Sequence, residues 1–294
     1  MKALYKISRL KCSYNQGKRI VLEIDNLEIP SGKIIFIIGA SGIGKSTILE
    51  TLGMMNNTIF QTESSKFVFC DPGTGDEIDL ASLWERNDRI ISGFRNNHFS
   101  FIFQNTNLMY NLTAYENIYL TQFIQGRPLH EVKNRTREIL RIIGLEEIKE
   151  KQLISSLSVG QKQRLAFARA IVTDFTVLFC DEPTGNLDLN NAHNLMDILQ
   201  KTIYEDNRTA IIVTHDIDMA IEYADTIINI MQDIKEIINS NGASELEPYG
   251  TITDHSVFRK VEPDNWINMN QKYHDESLKQ KFIKDLHYVS KPLY

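Results

Sequence analysis

The sequence predicts an α/β fold in which helices cover a parallel sheet, joined to an antiparallel N-terminal sheet and a helical subdomain. Three observations carry this. Lys33 to Ile38 is an unbroken β-branched and aromatic run, the pattern of a strand buried on both faces. Thr176 to Cys180 and Ala210 to Val213 repeat it, and helical stretches separate the three, as a parallel sheet requires. Residues 2–29 instead carry short alternating apolar stretches, broken at Tyr14-Asn15-Gln16-Gly17 and Pro30-Ser31-Gly32, which reads as antiparallel strands joined by tight turns.

Each remaining segment follows in order. Residues 56–98 are polar and irregular, with a turn cluster at Asp71-Pro72-Gly73-Thr74-Gly75, and read as a surface excursion. Ala114 to Leu165 has helical periodicity, so a helical subdomain is expected at about residues 105–165. After Asn239 the composition shifts. The stretch NSNGASELEPYG reads as a linker, followed by a helix in which Leu278, Phe282, Leu286 and Val289 line one side while Lys279, Lys281 and Lys284 lie away from it. Two readings of that helix stand: packing back on its own domain, or docking on a partner. The expected organisation is a nucleotide-binding domain over residues 1–239, then a linker and C-terminal extension over 240–294.

Composition excludes several classes. The chain is 42% hydrophobic and 24% charged, ordinary for a globular protein. Its formal charge of -6 argues against a dedicated nucleic-acid surface, which needs clustered Lys and Arg. Lys2, Lys6, Arg9 and Lys11 stand where a signal peptide needs an apolar stretch, so export by that route is not expected. The longest apolar run, Ile34 to Ile38, is far below the ~20 residues of a membrane-spanning helix. Cys12, Cys70 and Cys180 show no metal-ligand or disulfide spacing, which fits a reducing compartment.

The chemistry lies in short motifs. Gly39-Ala40-Ser41-Gly42-Ile43-Gly44-Lys45-Ser46 matches GxxxxGK[ST] between a buried strand and a helix, so backbone N–H groups and the helix start face a phosphate. Lys45 is expected at the β and γ phosphates and Ser46 at Mg²⁺. A buried strand ends at Asp181-Glu182. Asp181 is suited to the Mg²⁺ shell and Glu182 to polarising the attacking water; the alternative is an exposed acidic turn. Ser158 opens a helix in Leu157-Ser158-Val159-Gly160-Gln161, either a plain N-cap or a second anion site.

Taken together these motifs resemble the ABC ATPase family over residues 2 to about 238, in the family's order. GASGIGKS resembles its Walker A, LSVGQ its signature and VLFCDE its Walker B; Asn186-Leu187-Asp188 corresponds to the D-loop. The resemblance implies a P-loop NTPase core of ABC type that binds and hydrolyses ATP with Mg²⁺. It further implies that Gly39 to Ser46 and Thr47, with Ser158, Gly160 and Gln161, contact nucleotide. Tyr14 would stack on adenine, although aromatic residues are also common in strands. His215, in Thr214-His215-Asp216 after the strand AIIV, corresponds to the switch histidine, a role that a lone histidine would not suggest. Gln104, in FIFQNTNL, corresponds to the Q-loop residue that couples Mg²⁺ to a membrane partner. Val159 departs from the usual LSGGQ, and a β-branched residue tolerates fewer backbone conformations than glycine; an active site is still expected, with slower turnover open.

DEPTGNLD and FIFQNTNLMYNLTAYENI resemble the branch that serves lipoprotein release, macrolide and peptide export, and cell division. That implies an integral membrane permease-like subunit as partner, a second ATPase subunit forming a head-to-tail homodimer, and a cytoplasmic position on the inner face of the membrane. Leu108, Met109, Tyr110 and Leu112 beside Gln104 are either core or a docking groove. The rival function is a soluble ABC ATPase acting on DNA or ribosomes. Its marks, two cassettes in one chain or a long heptad insertion, are missing here.

Overall fold

A computed structural model describes residues 2–14, 19–60, 64–238 and 244–288. It divides into two compact units, Met1–Ile91 with Val213–Tyr294, and Ser92–Ile212.

The first unit holds the antiparallel sheet. Strands Ala3–Cys12 and Leu22–Pro30 pair from Ala3 opposite Pro30 to Cys12 opposite Leu22; the turn expected at Asn15 to Gly17 lies outside the described residues. The reading of residues 56–98 as an irregular excursion is corrected. Strand Lys66–Cys70 pairs with Ala3–Cys12, Tyr5 opposite Phe69, and Glu77–Asp79 continues the sheet. The reason is a two-residue alternation that the surrounding polar residues mask: Phe67 and Phe69 are buried and both rings pack on Tyr5. The turn cluster does join the two strands, Asp71 accepting from the Gly73 amide and the Thr74 hydroxyl.

The linker expectation also changes. Residues 239–243 lie outside the described residues, but Ser244–Ile252 is a strand. It pairs antiparallel with Met231–Ile238 and parallel with Leu22–Pro30 through Gly250, Thr251 and Ile252. Pro248 precedes the doubly paired stretch, where its missing N–H costs nothing. In the second sheet of this unit the strands follow the order Gln271–His274, Asn265–Asn268, Val257–Glu262, Thr226–Asn229, Ile34–Ile38. All five residues of Ile34–Ile38 are buried, as the unbroken apolar run requires.

The C-terminal helix Asp275–Tyr288 packs back on this unit. Leu278 and Phe282 are fully buried, the Phe282 ring meets Phe258 edge-on at 5.0 Å, and Asn229 donates to Asp285 at 3.0 Å. Lys279 pairs with Asp218. Two buried side chains of this size contribute about 1.5–3 kcal/mol each, so the stripe serves the fold; Val289 lies outside the described residues.

The second unit holds strands Phe99–Ile102, Val177–Asp181 and Thr209–Val213, the first two parallel. Phe99 and Phe101 both pack on Phe179 at 5.2 Å. Its helices include Ala114–Ile124, Leu129–Ile142, Val159–Ile171 and Leu189–Glu205. Thr113 and Glu116 form a capping box at the first of them, which sets where helix begins. No described helix is long and apolar enough to cross a membrane.

Candidate nucleotide site

In the first unit the strand Ile34–Ile38 delivers the chain into the loop Gly39 to Gly44, and the helix Lys45–Leu52 follows. Gly39 and Gly44 have φ of 156° and 107°, values that L side chains rarely adopt. A Cβ on Gly39 would also stand 3.2 Å from the Ile230 carbonyl oxygen. The helix has no side-chain N-cap and no acidic residue in its first turn, so its opening N–H groups and dipole are left for an anion. Lys45 spans the loop, its Nζ donating to the Gly39 and Ala40 carbonyl oxygens at 2.9 and 2.8 Å. Ser41, Gly42 and Ser46 are exposed, while Ile43, Gly44 and Thr47 are buried.

Tyr14 is half-exposed. Its phenol makes a 3.1 Å hydrogen bond with Thr47 Oγ1 and donates to Glu50 Oε2 at 2.9 Å. Partial burial raises the phenol's pKa, with Glu50 adding to the rise, so Tyr14 stays a neutral ring anchored to the helix after the loop. His215 is exposed in a turn tied to the same strand, because the Thr214 amide donates to the Ile37 carbonyl at 3.2 Å. Thr214 Oγ1 accepts from the Asp216 amide, and Asp216 caps helix Ile217–Tyr223 through the Met219 amide, both at 3.0 Å.

In the second unit Asp181 closes its strand, and Glu182 adopts φ of 50°. A left-handed non-glycine residue there is strained. Gln163 donates to the Pro183 carbonyl at 2.8 Å, and the Gly185 amide donates to the Glu182 carbonyl at 3.2 Å. Asp188 caps Leu189–Glu205, and hydrogen bonds from Asn191 hold its carboxyl below the usual range.

Ser158 is an N-cap in this structure. Its Oγ accepts from the Gln161 amide at 3.2 Å and Gln161 Oε1 accepts from the Ser158 amide at 2.9 Å, a capping box. Val159 is the first residue of the helix and 64% exposed. Helical backbone suits a valine, so nothing in this chain's conformation demands glycine there.

Gln104 is exposed just after Phe99–Ile102. Sequence reading missed the residues that shape the loop after it. Arg169 donates to the Thr106 and Asn107 carbonyls at 3.0 and 2.7 Å. Asn117, 1% exposed, grips Met109 through both its amide N–H and carbonyl and also donates to Thr113 O. Leu108 is thereby buried while Met109 and Tyr110 stay exposed, Lys162 lying 5.4 Å from the Tyr110 ring centroid. A buried asparagine inside an apolar helix was the one available signal.

A profile of the ABC transporter family matches residues 22–185, from the second strand through both Walker motifs to the end of the Asp181–Gly185 turn. The chain belongs to the ABC transporter family. It is 38% identical over 217 residues to the lipoprotein-releasing system ATP-binding protein LolD of Cytophaga hutchinsonii, covering 72% of this chain and 90% of that one. It is 35% identical to the macrolide export ATP-binding/permease protein MacB of a Shewanella strain, of which it covers 34%. Among solved structures, the dimeric ABC transporter cassette MJ0796 aligns with a TM-score of 0.64 at 30% identity, covering 76% of this chain and 93% of that one. This ABC chain is therefore an ATP-binding, ATP-hydrolysing subunit with the P-loop fold.

The oxygen donors expected of an ABC site suit Mg²⁺. Ser46, Gln104 and Asp181 offer a hydroxyl, an amide and a carboxylate. Among the described residues no cluster of three or more His, Cys, Asp or Glu forms a cage, and Mg²⁺ characteristically takes few protein ligands alongside water and phosphate oxygens.

Proposed function

We propose that two copies of this chain close head to tail around two ATP molecules and thereby drive a membrane permease-like subunit. The observation that carries this reading is the exposed start of helix Val159–Ile171, which has no acidic residue in its first turn. It is a second anion-ready element besides the phosphate loop. In the closed pair, Gly39 to Ser46 and Thr47 of one chain hold the phosphates, Tyr14 stacks on the base, and Ser158, Gly160 and Gln161 of the other chain complete the site.

Lys45 neutralises the terminal phosphates. Ser46, Gln104 and Asp181 would hold Mg²⁺, which would supply charge neutralisation for the phosphates. Glu182 accepts a proton from the attacking water, and His215 donates a hydrogen bond to the γ-phosphate. Exposed Met109 and Tyr110, close in sequence to Gln104, form the apolar contact with the membrane subunit, so occupancy at Gln104 reaches the partner through the loop that Arg169 and Asn117 hold. The chain then works in the cytoplasm, bound to the inner face of the membrane through that partner. The similarity to LolD and MacB supports this reading.

The test mixes two inactive variants. Lys45→Ala loses phosphate affinity and Ser158→Arg blocks closure, yet a mixed dimer contains one intact composite site. Recovered ATPase activity in the mixture is expected; a mixed dimer no more active than either variant alone overturns the shared-site arrangement.

A further inference from the structure

The phosphate loop packs against the paired strands Met231–Ile238 and Ser244–Ile252, and the contact converges on one residue. Gly250 is buried, donates its amide to the Val21 carbonyl at 2.9 Å, and stands opposite Leu22 on one side and Gln232 on the other. A Cβ at Gly250 would overlap the carbonyl oxygen of Ile43, inside the loop, and would stand 2.9 Å from Ile230 Cγ2 and 3.0 Å from Leu22 Cδ1. The same two neighbours reach the loop elsewhere. Ile230 lies against Gly39, and Leu22 lies 3.5 Å from the position of a Cβ on Gly44. The loop's first and last glycines and Gly250 thus share the neighbours Ile230 and Leu22, and the tightest of these contacts, between Gly250 and the Ile43 carbonyl, is with backbone.

We infer that Gly250 is a positioning residue for nucleotide binding: this strand pair supports the phosphate loop from behind and sets its affinity for ATP without touching it. The inference rests on the phosphate loop holding the nucleotide. Gly250 has no positive φ among the special backbone positions, so alanine is conformationally acceptable there and its methyl acts only by pushing on Ile43, Ile230 and Leu22. Because close-packed backbone yields by shifting rather than compressing, the Ile43 carbonyl moves, and the phosphate-facing amides move with it.

The experiment compares full-length Gly250→Ala with wild type and with Phe258→Leu, which loosens the same unit at the C-terminal helix. Gly250→Ala is expected to weaken Mg·ATP binding, and to raise KM, by about tenfold or more, the effect of a forced shift in a close-packed site. Turnover at saturating ATP should stay within about twofold, a difference of well under one RT-scaled decade. Phe258→Leu should lower the melting temperature and leave ATP affinity unchanged. Equal affinities for Gly250→Ala and wild type, or equal losses in both variants, overturn the inference. Should Gly250→Ala fail to fold, amide exchange in wild type decides. Mg·ADP should slow exchange at Gly42, Gly44 and Gly250 together. Slowing at Gly42 and Gly44 alone overturns the role of Gly250, and no slowing at any of the three overturns the phosphate-loop assignment on which it rests.

Discussion

Gln163 and Pro183 are joined by a 2.8 Å hydrogen bond from the Gln163 side chain to the Pro183 carbonyl. The bond links the helix that Ser158 caps to the residue immediately after Glu182. Gln163 is 1% exposed, and its Oε1 has no partner among the described residues, an arrangement retained at some desolvation cost. Gln163→Leu keeps the volume and removes the bond and the unsatisfied oxygen but strands the Pro183 carbonyl, so stability should fall by about 1–3 kcal/mol. Turnover should fall about tenfold as Glu182 loses its register, equivalent to ~1.4 kcal/mol of barrier. Steady-state ATPase assays check this: unchanged KM with lowered kcat is expected, and an unchanged kcat contradicts the link.

Glu182→Gln separates binding from hydrolysis. The amide has the same shape at the same φ but cannot take a proton from water, so turnover should fall by about 10²–10⁴-fold. Mg·ATP binding should persist and trap a dimer, visible by light scattering on a sizing column. Hydrolysis within a few-fold of wild type would falsify the base assignment.

Asn117→Ala removes three hydrogen bonds to Met109 and Thr113 and strands buried backbone groups. A cost of about 2–4 kcal/mol follows, or a melting temperature lower by ~5–10 °C. Circular dichroism measures the first effect. Stimulation by the membrane partner should drop more than basal turnover, because the loop after Gln104 loses its clamp.

Deleting residues 241–294 should yield insoluble protein, since Ser244–Ile252 lies between Met231–Ile238 and Leu22–Pro30 in the sheet order. Phe282→Ala alone should cost about 3–5 kcal/mol, the range for emptying a buried aromatic position. A soluble truncate with full basal ATPase would show that the segment is dispensable.

The cysteines should differ in reactivity. Burial pushes the Cys12 thiol up to about 11 and Cys180 further up, whereas Cys70 is only partly buried. At pH 8 the thiolate is the reacting species, so iodoacetamide should label Cys70 first and reach Cys12 and Cys180 only in denaturant. Mass spectrometry of tryptic peptides reads the order directly.

Much of this was legible because the physics is local. An unbroken β-branched and aromatic IIFII, too short for a helix and ending at a glycine, reads as a doubly buried strand, and glycines at fixed spacing before Lys45 specify a loop whatever surrounds it. Ser158 with Gln161 three residues on forms its capping box without help from elsewhere. What stayed hidden depends on distant partners. Phe67 and Phe69 form a strand because Tyr5 receives them, and Ser244–Ile252 is a strand because Leu22–Pro30 and Met231–Ile238 flank it; Pro248 and Gly250 made it read as linker. Gln163 and Arg169 look like ordinary polar positions until the carbonyls they bind are brought to them, and only the apolar helix around it marks Asn117 beforehand.

For the proposed head-to-tail closure, the box formed by Ser158 and Gln161 bears on when the ordering entropy is met. Each side chain is already fixed by a reciprocal bond within its own helix turn. A hydroxyl that accepts one N–H still has a proton to donate, and an amide whose oxygen is engaged still has its NH₂. Immobilising such side chains at an interface ordinarily costs about 0.5–1.5 kcal/mol each. Here that cost falls on folding of the single chain, before any partner arrives. For the proposed head-to-tail closure, the missing ingredient is then the nucleotide rather than the ordering of these side chains.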